Sequence, residues 1–177
     1  MSLRNKIRAA QLTVLKSFVV EAGLRLGPDA AGVIVAHGDQ GGGYLLAIDG
    51  GAPLVSYNAY GEMHRARGSA LAPGAHELVL RVDELAGLRW RLRVEVDGVV
   101  AAEIPSVPML IGMAPFTGIS VGYDYGGPVD WELYERHRSY RFAGGEITRL
   151  RYVPGTRSKF DRAVLHEVGR AVARVAD

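Results

Sequence analysis

The chain has 177 residues, of which 48% are hydrophobic and 23% are charged, and its formal net charge is +2. This size and composition predict one globular domain with a sizeable core and exclude a chain that is disordered throughout. The absence of cysteine excludes disulfides, thiolate metal ligands and a cysteine nucleophile. The apolar runs are too short to span a membrane and the N-terminus lacks the core of a signal peptide, so we predict no membrane partner and leave the compartment open.

The basic residues are dispersed along the chain. Arg89, Arg91 and Arg93 come closest to a cluster, but they alternate with other residues as side chains on a β-strand do. A nucleic-acid-binding protein usually gathers its positive charge on one face or one helix. We therefore predict no nucleic-acid partner.

Residues 16–154 consist of short apolar runs separated by glycine and proline. Phe18–Leu26 and Val33–Ala36 are predicted as two strands, with a break at Gly27-Pro28-Asp29. The segment Trp90–Val96 alternates apolar with polar side chains, as a strand with one buried face does. These patterns indicate strands throughout this region.

Two Asp-Gly sequences between apolar runs predict β-hairpins, because tight hairpin turns need residues that tolerate positive φ. The turns and the strands that they join are Asp49-Gly50-Gly51 between Tyr44–Ile48 and Pro53–Tyr57, and Asp97-Gly98 between Trp90–Val96 and Val99–Ile104. Roughly nine or ten short strands at this spacing are typical of a sandwich. The predicted fold is therefore all-β, a two-sheet antiparallel β-sandwich or jelly roll, with a C-terminal α-helix.

The two ends differ from the body of the chain. Residues 1–15 are predicted to form an N-terminal arm that begins with an expression leader, residues 16–154 the β-sandwich domain, and residues 155–177 an amphipathic helix. Ser158 followed by Asp161 is a helix start. Apolar residues recur behind it at helical spacing, namely Phe160, Val164, Leu165, Val168, Val172 and Val175. The helix either packs on the sandwich or supplies a homo-oligomer contact, and the first alternative is favoured because amphipathic helices most often serve a local core.

No catalytic residue and no cofactor is predicted in this chain. The run Gly38–Gly43 lacks the Gly-Lys-Ser/Thr ending of a phosphate loop and precedes a strand rather than a helix. The histidines lack the close spacing of a local zinc site, and His76 is predicted to open a strand. The chain contains neither a Gly-x-Ser-x-Gly nucleophile sequence nor a strand of alternating acidic residues for glycoside hydrolysis.

The segment from Tyr123 to His137 concentrates aromatic, acidic and glycine residues in what is predicted to be a long connection. Tyr125, Trp131 and Tyr134 are the candidate ligand-binding residues, because aromatic rings in loops stack on sugars. Asp124 and Asp130 are the candidate metal ligands, because carboxylates supply the oxygen atoms that calcium prefers. The alternative, which is favoured, is a surface loop whose Trp131 and Tyr134 cover the edge of the core.

A series of short motifs resembles the accessory β-sandwich that follows the catalytic domain of many bacterial arylsulfatases, and similar strand patterns occur in laminin G-like and concanavalin A-like sandwiches. The series covers residues 17–152. Its members are Gly32–Gly38, Gly42-Gly43-Tyr44, Tyr57–Gly61, Pro73–Leu78, Val96-Asp97-Gly98, Val121–Asp124, Gly127-Pro128-Val129 and Phe142–Ile147.

This resemblance implies a non-catalytic accessory domain of a sulfuric ester hydrolase, with the sulfatase catalytic domain as its partner. Sulfatases use a formylglycine made within Cys/Ser-x-Pro-x-Arg beside a calcium ion, so calcium would belong to the missing catalytic domain. The only segment here that partly matches this motif, Ser106–Leu110, ends in leucine where arginine is required. No catalytic residue therefore carries over, and a basic C-terminal helix departs from the family pattern. The alternative is a carbohydrate- or ligand-binding β-sandwich module.

Overall fold

The computed structural model describes residues 13, 16–110 and 118–157, without the side chains of residues 156 and 157. The predicted C-terminal helix and, apart from Thr13, the predicted N-terminal arm lie outside these residues. The described elements are β1 (Lys16–Asp39), β2 (Gly42–Asp49), β3 (Ala52–Ala59), β4 (Glu62–Arg67), β5 (Gly74–Leu85), β6 (Arg89–Val96), β7 (Val99–Pro108), β8 (Ile119–Val121), α1 (Trp131–His137) and β9 (Ala143–Arg157).

The strands form two antiparallel sheets that share β1. The first sheet has the order β9-β1-β5-β6-β7, and the second has the order β8-β1-β2-β3-β4. Side chains from the facing surfaces of the two sheets interdigitate in one apolar core. The predicted all-β, two-sheet antiparallel sandwich is thus confirmed.

Strand β1 passes from one sheet to the other. Its first part pairs with β5 up to Leu26 and with β9 up to Ala31, and its second part, from Gly32, pairs with β2 and β8. The predicted break at Gly27-Pro28-Asp29 is wrong, because the chain stays extended there. Gly32 has a φ of +118°, which only glycine adopts readily, and it lies where the strand enters the second sheet. The two predicted strands are therefore one strand that changes sheets.

Both predicted hairpins are present. Strands β2 and β3 pair across Gly50 and Gly51, which have φ values of +54° and +75°. Strands β6 and β7 pair across Asp97 and Gly98, with φ values of +50° and +83°. Positive φ at both turn residues gives the twist that matches the flanking strands.

Strand β6 shows the predicted alternation of burial, with its apolar residues in the core and its charged residues on the outer face of the first sheet. That outer face carries cross-strand ion pairs. They are Arg25–Glu146, Arg81–Glu95, Arg91–Asp83, Arg93–Glu103, Arg149–Glu77 and Arg151–Glu21. Arg91 and Arg93 of β6 are therefore matched by acidic neighbours on adjacent strands, whereas Arg89 donates to Ser106 of β7.

The second sheet is covered on both faces. Strands β2 and β3 are buried along their whole length, because residues 122–142, hereafter the covering segment, lie on the outer face of this sheet. Val129 and Leu133 of that segment pack against outward-facing apolar side chains of the sheet, including Leu45 and Leu54. This second small core fixes the segment on which the predicted site residues lie.

Candidate ligand-binding surface

Backbone hydrogen bonds tie both ends of the covering segment to β1. Gly122 donates to the carbonyl of Ile34 (3.0 Å), and the carbonyl of Tyr140 accepts from Val33 (2.8 Å). The two ends also bond to each other, since Phe142 donates to the carbonyl of Gly122 (2.8 Å). The segment is therefore a closed loop with its ends held on one strand.

Within the segment, residues 131–137 form a helix where the sequence predicts only a long connection. Asp130 has extended backbone angles and caps the helix, because its Oδ1 accepts a hydrogen bond from the amide of Leu133 (3.1 Å). Glu132 lies in the first turn and Arg136 in the last, which matches the helix dipole. The capping aspartate and these charges are visible in the sequence and identify the helix in retrospect.

The Asp130 carboxylate is fully buried and is held by side chains of the second sheet. Arg65 of β4 donates to both of its oxygens, from Nε (2.7 Å) and Nη2 (2.8 Å), and Ser56 of β3 donates a third bond (2.7 Å). Burial raises the pKa of Asp130, but the bonds from Arg65, Ser56 and the Leu133 amide outweigh that effect and hold the pKa below its ordinary value. The carboxylate is therefore an ionised anchor for α1.

A second group of polar side chains holds the C-terminal end of α1. Tyr140 donates from its hydroxyl to the Asp49 carboxylate (2.8 Å), and Arg67 donates to the same carboxylate (2.8 Å). The ring of His137 stacks on Tyr140, with centroids 4.1 Å apart. Burial raises the pKa of the Tyr140 hydroxyl, so this hydroxyl remains a hydrogen-bond donor. Both ends of the helix are thus fixed on the sheet.

The outward side of α1 carries an aromatic face formed by Trp131, Tyr134 and Arg138, hereafter the α1 aromatic face. Trp131 is 50% exposed, and its ring stacks on Tyr134 with centroids 5.8 Å apart and an interplanar angle of 26°. The Arg138 guanidinium lies over the Tyr134 ring at 5.8 Å. Trp131 also donates from its indole nitrogen to Glu135 (3.0 Å). The spacing of these residues places them on one side of the helix.

A second aromatic group, hereafter the Tyr123–Tyr125 pair, lies before the helix. The two rings pack edge to face with centroids 5.7 Å apart, and Tyr125 is 60% exposed. The Arg141 guanidinium lies over the Tyr123 ring at 4.6 Å. Tyr123, Arg138 and Arg141 were not among the candidates from sequence. The helical spacing of Trp131, Tyr134 and Arg138 could have identified Arg138 from the sequence. No such pattern identifies Arg141, because it contacts Tyr123 only in the folded chain.

Asp124, which lies between the two tyrosines in the sequence, has a buried side chain. Its Oδ2 accepts a hydrogen bond from the amide of Val129 (2.8 Å), and its Oδ1 has no hydrogen-bond partner among the described residues. Burial raises the pKa of this carboxyl to about 6, with the nearby carboxylates of Asp130 and Asp39 adding to the effect. Ionisation of the Asp124 carboxyl therefore carries an energetic cost in the folded protein.

The predicted calcium ligands, Asp124 and Asp130, lie on the same segment but are differently engaged. Both oxygens of Asp130 already bind Arg65, whereas Asp124 bonds to the backbone of its own loop. Among the residues that the structure describes, no group of three or more His, Asp or Glu side chains could hold a metal ion. A calcium role for the two aspartates stays a prediction.

The predicted binding residues point away from the core. Val129 and Leu133, together with Tyr140, make the apolar contacts with the sheet, and the three candidate rings are not among them. Trp131 and Tyr125 are exposed, and Tyr134 is half-buried between Trp131 and Arg138. The structure therefore places all three candidates on one solvent-facing segment, with Trp131 and Tyr134 in direct contact.

The described residues thus form a jelly-roll β-sandwich of laminin G-like fold, with an aromatic surface on the segment that covers one sheet. A solved structure of the mouse laminin alpha1 chain, domains LG4-5, is similar to this chain with a TM-score of 0.54 and 16% identity. The similarity covers 82% of this chain and 37% of that chain, so this chain spans little more than a third of the laminin structure. At this identity the likeness shows the fold alone.

A second solved structure, the binding domain of botulinum neurotoxin serotype D/C, has a TM-score of 0.39 and 8% identity, over 59% of this chain and 30% of that one. No protein-family model matches the sequence, and no curated protein matches it either. In the described part of the chain, no helix is long and apolar enough to cross a membrane.

Proposed function

We propose that this chain is a non-catalytic binding module that recognises carbohydrate through the α1 aromatic face. The observation that carries the proposal is the Trp131–Tyr134 stack, which leaves Trp131 50% exposed on a helix that is anchored at both ends. Exposed apolar side chains that cluster in one patch are typical of interaction sites, whereas single exposed ones are ordinary. The face of a sugar ring presents C–H groups that pack on such a ring, while the sugar hydroxyls remain free for polar side chains.

Polar groups beside the rings suit this ligand. Glu135 accepts a bond from the Trp131 indole and has a second oxygen for a hydroxyl, and the Arg138 guanidinium presents further donors. The helix is fixed before any ligand arrives, through Arg65 and Asp130 at one end and Asp49 and Tyr140 at the other. A preformed site loses less conformational entropy on binding.

Titration calorimetry with oligosaccharides selected on a glycan array tests this proposal. We expect Trp131→Ala to weaken binding at least about tenfold, because loss of a stacked aromatic removes more than about 1.4 kcal/mol. Val99→Ala is the matched control, since Val99 is 70% exposed at the β6–β7 hairpin of the first sheet. Unchanged binding by the Trp131 variant, or an array on which the wild-type chain binds nothing, would overturn the proposal.

A second candidate function is an accessory domain of an arylsulfatase polypeptide, with the catalytic domain as its partner. The motif series described above supports it by its order and spacing. Most of these motifs contain a glycine with positive φ, including Gly32, Gly61, Gly98 and Gly144, so they mark turns and close approaches of the sandwich. This relation explains why the motifs indicate the fold more strongly than the family.

The sequence of the native gene upstream of Arg4 tests the accessory role. An α/β domain with Cys/Ser-x-Pro-x-Arg in the same reading frame would establish it. A frame without such a domain would reduce the resemblance to shared strand patterns and leave the binding module as the sole proposal.

A further inference from the structure

We propose that the binding surface continues from the α1 aromatic face onto the Tyr123–Tyr125 pair, so that its ligand is an extended oligosaccharide rather than a single sugar. This inference rests on the proposed carbohydrate-binding function. It adds Tyr123, Tyr125 and Arg141 to the site, and it specifies that the ligand is an oligosaccharide long enough to contact both aromatic groups.

The two aromatic groups meet at one backbone hydrogen bond. The amide of Asp124 donates to the carbonyl of Ser139 (3.0 Å). In the sequence, Asp124 lies between the two tyrosines of the pair, and Ser139 directly follows Arg138, the last residue of the α1 aromatic face. The two groups are therefore neighbours in space although the helix separates them along the chain.

The combined surface is longer than one sugar ring. From Trp131 to His137 the helix rises by roughly 9 Å, since each helical residue adds about 1.5 Å. The Asp124–Ser139 bond places the Tyr123–Tyr125 pair beside the C-terminal end of the helix, whereas Trp131 lies at its N-terminal end. A single ring on Trp131 would leave the exposed Tyr125 uncovered, whereas a chain of linked rings passing along the helix would contact both.

The two groups contain the same parts, although the rings of one are stacked and those of the other pack edge to face. Each has a pair of contacting rings, Trp131–Tyr134 or Tyr123–Tyr125, and an arginine whose guanidinium lies over one of them. The arginine fixes the orientation of the ring and offers hydrogen-bond donors beside it. Each group is thus a complete subsite with an apolar platform and polar donors at its edge.

Both subsites are held on the same strand. The covering segment bonds to Ile34 through Gly122, next to the tyrosine pair, and to Val33 through Tyr140, beyond the helix. Because β1 carries both contacts, the spacing of the subsites is set by the sheet. A fixed spacing favours a ligand that reaches both subsites at once over two separate ligands.

Calorimetry with cello-oligosaccharides and laminari-oligosaccharides of graded length, together with any homologous series that binds on the array, tests the inference. We expect wild-type affinity to rise from the shortest member to the hexasaccharide. Tyr125→Ala is expected to remove that rise, by about fivefold to tenfold at the longest member, and to leave the affinity for the shortest member unchanged. Trp131→Ala should weaken all lengths, and Val99→Ala none.

The outcomes separate this inference from the proposed function. If Trp131→Ala weakens binding while Tyr125→Ala leaves the affinity for every length unchanged, the extended site is wrong and the α1 aromatic face alone binds. If affinity does not depend on length in the wild type, the extended site is equally wrong. If no series binds, or if Trp131→Ala changes nothing, the proposed function fails and this inference fails with it.

Discussion

Arg65 and Asp130 form a two-pronged ion pair between the edge strand of the second sheet and the cap of α1. The guanidinium donates to both carboxylate oxygens, at 2.7 and 2.8 Å, and the carboxylate is fully buried. A parallel pair of charge-assisted bonds fixes direction as well as distance. The orientation of the helix, and with it that of Trp131 one residue further, is therefore set from a strand some 65 residues earlier in the chain.

The first prediction concerns the loss of this pair. Arg65→Met is expected to lower the free energy of unfolding by about 2–3 kcal/mol, because it leaves a buried carboxylate without its counter-charge. Urea denaturation measures the change. Arg25→Met is the control, since both side chains of the Arg25–Glu146 pair are exposed and such pairs contribute at most about 1 kcal/mol. Equal losses in the two variants would contradict the anchoring role.

The second prediction concerns Asp124, whose pKa burial raises to about 6 from an ordinary 3.8. A raised pKa means that the folded state favours the protonated form, so ionisation costs stability as the pH rises from about 4 through about 6. Asp124→Asn removes this cost and keeps an acceptor for the Val129 amide. We expect the variant to be more stable than the wild type by up to about 3 kcal/mol at about pH 8, and equal to it at about pH 4.

Thermal unfolding of both proteins across this pH range measures the difference. Asp29→Asn provides the control, because Asp29 is exposed on β1. A constant difference between Asp124→Asn and the wild type across the range would contradict the burial of an ionisable carboxyl group at this position.

The third prediction concerns His76, which lies in β5 as predicted and joins three parts of the chain. Its Nδ1 lies 2.7 Å from the Asp97 carboxylate in the β6–β7 turn, and its Nε2 lies 2.9 Å from the carbonyl of Ala72. Both neighbours are acceptors, so only the doubly protonated ring satisfies both. The bonds that His76 donates to Asp97 and Ala72 accordingly raise its pKa above the ordinary 6.5.

A group with a raised folded pKa adds stability that is complete below 6.5 and is lost as the pH rises through the folded pKa. His76→Gln is therefore expected to destabilise the protein more at about pH 5.5 than at about pH 9, by less than about 1 kcal/mol. Denaturant unfolding at the two pH values measures this. In the Asp97→Asn background the same substitution should show a smaller pH dependence, and an undiminished one would contradict the contact.

The fourth prediction compares two glycines with positive φ. A Cβ at Gly32 would lie 2.4 Å from the carbonyl oxygen of Arg141 and 2.6 Å from the Cα of Phe142, whereas a Cβ at Gly74 would meet nothing within 4 Å. Gly74→Ala therefore incurs backbone strain alone, of order 1 kcal/mol, and Gly32→Ala adds a clash with the end of the covering segment. We expect Gly32→Ala to cost at least about 2 kcal/mol more in unfolding free energy. Similar losses of unfolding free energy in the two variants would show that the covering segment shifts to accommodate the added methyl group.

The fold was largely predictable because its signals are local. Alternating side chains along β6 and Asp-Gly turns between apolar runs act over a few residues, and they identify strands and hairpins without knowledge of the partner strands. The passage of β1 between sheets was not predictable in this way. Gly27 and Pro28 usually end a strand, and only pairing with β9 and β2 on either side keeps the chain extended there.

The candidate site was predictable in part. Tyr125, Trp131 and Tyr134 could be named because exposed aromatic residues among glycines and acids are conspicuous in a sequence. The roles of the neighbouring groups could not be predicted from the sequence. Asp130 was a candidate metal ligand by residue type, but the side chain of Arg65, far away in sequence, occupies both of its oxygens.

The sequence by itself determined the strand content, the two hairpins and the presence of an aromatic segment, because each depends on residue types that are close together in the chain. The tertiary structure alone decided which side of that segment faces solvent. Val129 and Leu133 fill the outer face of the second sheet, and this burial leaves Trp131 and Tyr125 outside. Burial is a property of the assembled sheet, and the residues that create it lie on strands distant in sequence.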